Sequence, residues 1–282
     1  MRLTTRDHDR DSAGLTYVYA VVSRRARGVS VGVNLNPNKA CNWRCVYCQV
    51  PGLTRGKGPP LDLALLEREL EGFLDEVLAA DWMEAHVPEG MRRLNDVAFS
   101  GDGEPTGSPD FEAAVAIAAA ALERRGLVGR AKLVLITNGS LLHKPEVARA
   151  VERLAAAGGE VWFKLDAVDE AGQQRLNDSR TGFERQLANL ERCARLAPTW
   201  VSTLALDFDG PTLDLERVER HAANLNAVRE AGATLAGVHL YGLERASHQP
   251  EAERLRALPA AQLEALATRL RERTGLEVRV SV

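Results

Sequence analysis

Three of the chain's four cysteines, Cys41, Cys45 and Cys48, fall within eight residues of one another, in the run Ala40-Cys41-Asn42-Trp43-Arg44-Cys45-Val46-Tyr47-Cys48-Gln49. A C-x3-C-x2-C spacing lets a short loop turn three thiolates toward one centre while its backbone N–H groups point at the sulfurs, which suits a metal cluster. No fourth cysteine lies nearby, and an iron-sulfur cube held by three thiolates keeps one iron open to a non-protein ligand. The competing reading is a zinc site of the same thiolates completed by a histidine or a distant cysteine, although such sites usually show paired C-x2-C knuckles. Cysteines bunched in this way are not a disulfide framework.

A second run with chemical content is Gly101-Asp102-Gly103-Glu104-Pro105. Its glycines let backbone approach a ligand closely, and its carbonyls and carboxylate accept hydrogen bonds from an ammonium group. Taken alone it also reads as a glycine-rich turn with a helix-capping acid. Lys164 and Asp166 alternate at the end of an apolar stretch, so both side chains point to one face, as a cofactor contact or as a plain salt bridge. Asn138, in Thr137-Asn138-Gly139, is a turn residue or a ligand contact. His239 and Tyr241 are read as core packing in preference to a place beside a cofactor. Cys193, between Leu190 and Leu196 on an amphipathic helix, reads as a small buried apolar side chain.

With Tyr47 in place, the cysteine run resembles the hallmark of the radical S-adenosylmethionine (SAM) superfamily, C-x3-C-x-aromatic-C. That resemblance implies a [4Fe-4S] cluster on Cys41, Cys45 and Cys48, with the amino and carboxylate groups of SAM on the open iron. It also implies an incomplete (β/α)6 barrel whose lateral opening admits a large substrate. The Gly101–Pro105 run is similar to the element that binds the SAM amino group. Asp102 stands where the common form has Gly, so only Gly101, Gly103, Glu104 and Pro105 carry over cleanly. Asn138, Lys164 and Asp166 match cofactor contacts of similar enzymes.

Ser23-Arg24-Arg25, Cys-Asn-x-x-Cys-Val-Tyr-Cys-Gln, Ser-Gly-x-Gly-Glu-Pro-Thr and Lys-Leu-Asp-Ala together resemble iron-sulfur oxidoreductases related to wyosine-forming tRNA enzymes, over about residues 21–167. Those relatives carry extra cysteines for a second cluster. Cys193 alone cannot supply three, so the resemblance implies one cluster and argues against wyosine synthesis itself. The implied activity is reductive cleavage of SAM to a 5′-deoxyadenosyl radical that abstracts hydrogen from a substrate, RNA or a small molecule, with an electron donor such as flavodoxin or ferredoxin. The alternatives are an activase that makes a radical on a partner protein and a non-catalytic, metal-stabilised RNA-binding protein.

These residues need elements to position them. Val29 to Leu35 alternates as a first strand, broken by Pro37. Leu66, Leu70, Phe73, Leu74 and Val77 recur at helical spacing within Leu61 to Ala80, and Asp81 to Asn95 reads as irregular. Strands follow at Asp96 to Ser100, Lys132 to Thr137, Glu160 to Leu165, Trp200 to Leu206 and Thr234 to Leu240, with Leu276 to Val282 as a closing strand. Helices lie between them at Phe111 to Leu122, Pro145 to Ala157, from Phe183 and from Leu215, and a last one at Pro259 to Arg273. Six βα units joined by short connections require a parallel sheet, either doubly wound or curved into a partial barrel. The polar runs all fall at carboxyl ends of strands, which favours the α/β partial (β/α)6 TIM-like barrel.

A chain of 282 residues suits one α/β domain over residues 15–282 after a loose tail over residues 1–14. Apolar residues at 45% and a net charge of -3 exclude neither an enzyme nor a local basic face, and Arg24, Arg25 and Arg27 read as a solvated loop. Pro51 to Pro60 is a Gly/Pro-rich connection, a linker or a lid. Neither a membrane-length apolar run nor a signal-peptide core is found, so a cytoplasmic protein without membrane contact is expected.

Overall fold

The computed structural model describes Leu3, residues 13–23 and residues 28–281. Arg24, Arg25 and Arg27, and most of the expected tail, lie outside the described residues. Eight strands form one sheet in chain order: β1 (Val18–Ser23), β2 (Gly28–Val33), β3 (Leu94–Phe99), β4 (Lys132–Thr137), β5 (Glu160–Lys164), β6 (Thr199–Leu204), β7 (Leu235–Tyr241) and β8 (Val278–Ser281). β1 runs antiparallel to β2, and every later pairing is parallel. A doubly wound sheet would reverse its strand order at a switch point. This order never reverses, so the sheet curls one way into a partial barrel, and among the described residues β1 and β8 are its two unpaired edges.

Side-chain parity follows the curl. Val31, Val97, Phe99, Leu135, Phe163, Val201 and Val238 pack into the large core with the helices. The alternate residues Ala98, Val134, Trp162 and Trp200 form a separate apolar floor inside the barrel. The outer layer is α1 (Leu63–Leu78), α2 (Ala80–His86), α3 (Phe111–Arg124), α4 (Pro145–Ala156), α5 (Glu170–Asn177), α6 (Phe183–Leu196), α7 (Leu215–Glu230) and α8 (Ala260–Thr274). Asp62, Asp169 and Asp214 accept backbone N–H groups at the starts of α1, α5 and α7, which satisfies orphan donors there.

Several elements differ from expectation. β1 was hidden because Tyr17 to Val22 is buried on both faces and shows no alternation. α2 occupies part of the stretch read as irregular, where Trp82 packs edge-on to Phe73 and stacks on His86. Leu3, within the expected loose tail, is buried and donates its N–H to the His86 carbonyl at 2.8 Å. α5 is short and polar with weak periodicity. The strand expected over Trp200 to Leu206 stops at Leu204, and Leu206–Phe208 instead pairs antiparallel with Leu255–Ala257.

One buried group makes stability depend on pH. His221 on α7 is fully buried, with Nε2 3.0 Å from Thr203 Oγ1, and Thr203 donates its own proton to the Leu165 carbonyl. The imidazole is therefore the donor in that pair, and its Nδ1 has no partner. Burial pushes its pKa down to about 4, against the opposing pull of Asp166. An unfolded histidine titrates near ~6.5. Between those values the unfolded chain takes up a proton that the folded one refuses, so stability present above about pH 6.5 is lost as pH falls through about 4, on the order of 3 kcal/mol. Thermal unfolding at pH 7 and pH 4.5 is expected to show a smaller drop for His221→Asn than for the wild type. Equal drops would remove His221 from this role.

Candidate active site at the carboxyl ends of the strands

The cysteine loop follows β2 and is held on several sides. Ala40–Cys41 pairs in parallel with Thr54–Arg55, and Gly56 N–H reaches the Cys41 carbonyl at 2.9 Å. The Pro51 to Pro60 stretch is thus a clasp along the loop. The carboxyl end of α5 supplies carbonyls that helix geometry leaves open: Leu176 accepts Val46 N–H at 2.9 Å and Asn177 accepts Arg44 N–H at 3.0 Å. From the other side Ser247 Oγ donates to the Val46 carbonyl at 2.7 Å, and His248 N–H to that of Cys48 at 2.9 Å. The Arg44 guanidinium grips Glu251 through two bonds of 2.9 and 3.0 Å and reaches Asp178 at 3.3 Å. Asp178 also takes Arg55 at 2.6 Å, so several charges act as one network instead of an isolated surface pair.

All three cysteines line one cavity of about 380 Å³. Tyr47, Gly101, Asp102, Gly103, Glu104, Asn138 and Lys164 line it too, whereas Pro105 and Asp166 do not. Burial pushes the Cys41 thiol up to about 12 and that of Cys45 to about 11, so metal binding must displace their protons. Donors already face the sulfurs: Trp43 N–H lies 3.5 Å from Cys41 Sγ and Asn177 Nδ2 3.3 Å from Cys45 Sγ. Among the described residues no three His, Cys, Asp or Glu side chains converge on a point as a single ion requires. Three thiols on the wall of one cavity are a donor set that fits an iron-sulfur cube with one iron left open. Cys193 is fully buried on α6, accepts a bond from Thr199 Oγ1 at 3.5 Å and is not on the cavity wall.

The Gly101–Glu104 turn sits directly on the cysteine loop. A Cβ on Gly103 would meet the Ala40 carbonyl oxygen at 2.1 Å, and one on Gly101 would meet Asn34 Oδ1 at 2.4 Å. The intervening Asp102 is accommodated because Asn34 donates to its carboxylate at 2.7 Å and accepts its N–H at 3.1 Å. Glu104 is buried and saturated on one oxygen: Oε1 accepts Thr106 N–H, Thr106 Oγ1 and Thr137 Oγ1 at 3.1, 2.6 and 2.5 Å. Oε2 accepts Asn138 N–H at 2.7 Å and keeps a further acceptor position. Glu104 therefore caps the turn at Pro105–Gly107 and still fronts the cavity. Burial, opposed by those four donors, leaves its pKa raised.

Lys164 Nζ donates to Tyr241 Oη at 3.0 Å, lies 3.6 Å from Asp166 Oδ2 and sits 4.7 Å from the centre of the Tyr47 ring. Burial alone would lower its pKa, but Asp166, Tyr241 and Cys45 together outweigh it and keep the ammonium charged. Asp166 is placed behind the wall, where it accepts bonds from Leu204 N–H at 3.0 Å and from Tyr47 Oη. Burial and that carboxylate raise the Tyr47 phenol well above its usual range. Asn138 donates to Asn42 Oδ1 at 2.8 Å, tying the end of β4 to the cysteine loop. His239 packs between Trp200 and Trp162 at centroid distances of 4.6 and 4.8 Å, as expected of a core residue, whereas Tyr241 faces the cavity. Asn34, Asn177 and Ser247 carry no sequence signal, because each acts through a neighbour remote in the chain.

The profile of the Radical SAM superfamily matches residues 35–222. Among curated proteins the chain is 26% identical over 168 residues to a "UPF0026 protein" of Helicobacter pylori, strain J99, covering 58% of this chain and 46% of that one. A "UPF0026 protein" of Methanocaldococcus jannaschii is 29% identical over 168 residues, covering 58% and 44%. The chain thus spans about half the length of the curated relatives it matches. Among solved structures, one described as TYW1 with a lysine-pyruvate adduct bound aligns with a TM-score of 0.53 at 16% identity, covering 94% of this chain and 78% of that one. HydG, a maturase of the [FeFe]-hydrogenase, aligns with a TM-score of 0.56 at 10% identity, covering 88% and 50%. At such identities both speak for the fold alone, an α/β fold with a mostly parallel central sheet. Because the matched span holds the three cysteines, the Gly101–Glu104 turn and Lys164, the chain belongs to the radical SAM superfamily, whose members are enzymes that use a [4Fe-4S] cluster and SAM.

Proposed function

We propose that residues 15–282 work as one catalytic domain that generates a 5′-deoxyadenosyl radical and uses it to take hydrogen from a substrate entering through the open side of the barrel. The observation that carries this reading is the single cavity shared by Cys41, Cys45, Cys48, the Gly101–Glu104 turn and Lys164. When bound, a [4Fe-4S] cluster and SAM supply one-electron cleavage to methionine and the 5′-deoxyadenosyl radical, which accepts a hydrogen atom to give 5′-deoxyadenosine and a substrate radical.

The protein's own residues bind, orient and shield. Cys41, Cys45 and Cys48 hold the cluster through thiolates. Glu104 Oε2, with its remaining acceptor position, takes an N–H of the SAM ammonium, and the neighbouring Gly103 lets the ligand approach the backbone. Lys164 holds its proton and offers a fixed positive charge to an anionic or hydroxyl oxygen. Asn138 and Tyr47 complete the walls. The rest of the cavity includes Ser30, Asp96 and Ser100, which give hydrogen-bonding partners to a sugar-bearing substrate such as a ribonucleoside in RNA. A small one-electron donor of the flavodoxin or ferredoxin class supplies the electron. No helix among the described residues is long and apolar enough to cross a membrane.

The test is anaerobic reconstitution with iron and sulfide, reduction by dithionite and chromatography of the products. About four irons per chain, with 5′-deoxyadenosine and methionine formed in equal amounts from SAM, are expected. A colourless protein that holds zinc and leaves SAM intact under reduction would replace this reading with that of a metal-stabilised binding protein.

A further inference from the structure

We propose that Asn177, at the end of α5, is a positioning residue whose side-chain amide donates to the Cys45 sulfur and thereby sets how readily the bound cluster is reduced. This rests on the reading that Cys41, Cys45 and Cys48 hold the cluster. Asn177 is 1% exposed, and its Nδ2 lies 3.3 Å from Cys45 Sγ, 3.1 Å from Tyr47 Oη and 3.1 Å from Asp166 Oδ2.

The orientation of this amide follows from chemistry. The Asp166 carboxylate only accepts, and Tyr47 already gives its proton to that carboxylate, so the group facing all three neighbours must be the NH2. With one hydrogen committed toward the Tyr47–Asp166 pair, the second is aimed at the sulfur. The backbone holds this aim, since Asn177 O accepts Arg44 N–H and Leu176 O accepts Val46 N–H, locking α5 to the residues on either side of Cys45. Asp178, in the left-handed conformation that ends the helix, is in turn held by Arg44 and Arg55.

An N–H aimed at a ligating sulfur stabilises the more negative state of a cluster, which is the reduced one. Without that donor, reduction becomes harder while the three thiolates remain. A role confined to packing predicts no such change.

The experiment is potentiometric titration followed by electron paramagnetic resonance on reconstituted wild type, Asn177→Leu and Asn177→Gln, with iron counted for each. Asn177→Leu is expected to keep about four irons and to be reduced at a more negative potential, by about 60 mV for one electron, a roughly tenfold change in the equilibrium. Asn177→Gln, which keeps an amide donor, is expected to lie between the two. A wild-type potential in a fully loaded Asn177→Leu protein overturns the proposal. So does loss of iron in both variants, which would make Asn177 a packing residue only. Absence of a four-iron cluster from the wild type would instead overturn the reading beneath it.

Discussion

Cys41→Ala, Cys45→Ala and Cys48→Ala are each expected to yield folded protein with less than about a tenth of the wild-type iron and no SAM cleavage. Two thiolates leave two irons of a cube to solvent ligands, and such clusters dissociate. The protein without metal tolerates the change because the loop is fixed by groups other than the sulfurs: the α5 carbonyls, Ser247, His248 and the Arg44–Glu251 pair. Circular dichroism and an iron count on the same sample separate the two effects. Full iron content in any one variant would remove that cysteine from the ligand set.

The second large effect belongs to Glu104. Its carboxylate accepts four buried donors from Thr106, Thr137 and Asn138, so it joins the ends of β3 and β4. Glu104→Ala strands those donors, and a loss on the order of 3 to 5 kcal/mol in unfolding free energy is expected from denaturant titration. Glu104→Gln keeps the shape but not the charge. In that variant SAM affinity, measured by calorimetry on cluster-loaded protein, is expected to fall about 10- to 150-fold, the equivalent of roughly 1.5 to 3 kcal/mol for a hydrogen bond to a charged group. Unchanged affinity in folded Glu104→Gln would confine Glu104 to its capping role.

Local chemistry and local periodicity were legible in the chain itself. Cysteine spacing is a property of one loop, and a glycine-rich turn after a strand is a property of five residues. Strands such as Lys132–Thr137 and helices such as α4 declare themselves through the alternation or 3.6-residue recurrence of their apolar side chains. From the regular βα alternation the parallel sheet followed, because each crossover returns the chain to the same edge.

What the tertiary structure alone decided was which remote groups complete those local pieces. Asn177 reaches Cys45 across 132 positions, Ser247 reaches Val46 across 201, and Glu251 meets Arg44 across 207. A single asparagine, serine or glutamate has no pattern of its own; its meaning comes from the partner it meets, and that meeting is set by the curl of the sheet. Burial is decided in the same way. Lys164 stays charged because the barrel brings Tyr241 and Cys45 to it as well as Asp166, its neighbour in sequence, whereas His221, packed where no carboxylate bonds it, stays neutral to about pH 4. Residue types establish what chemistry is available, and the fold determines its dielectric and its neighbours, on which the charge of each group depends.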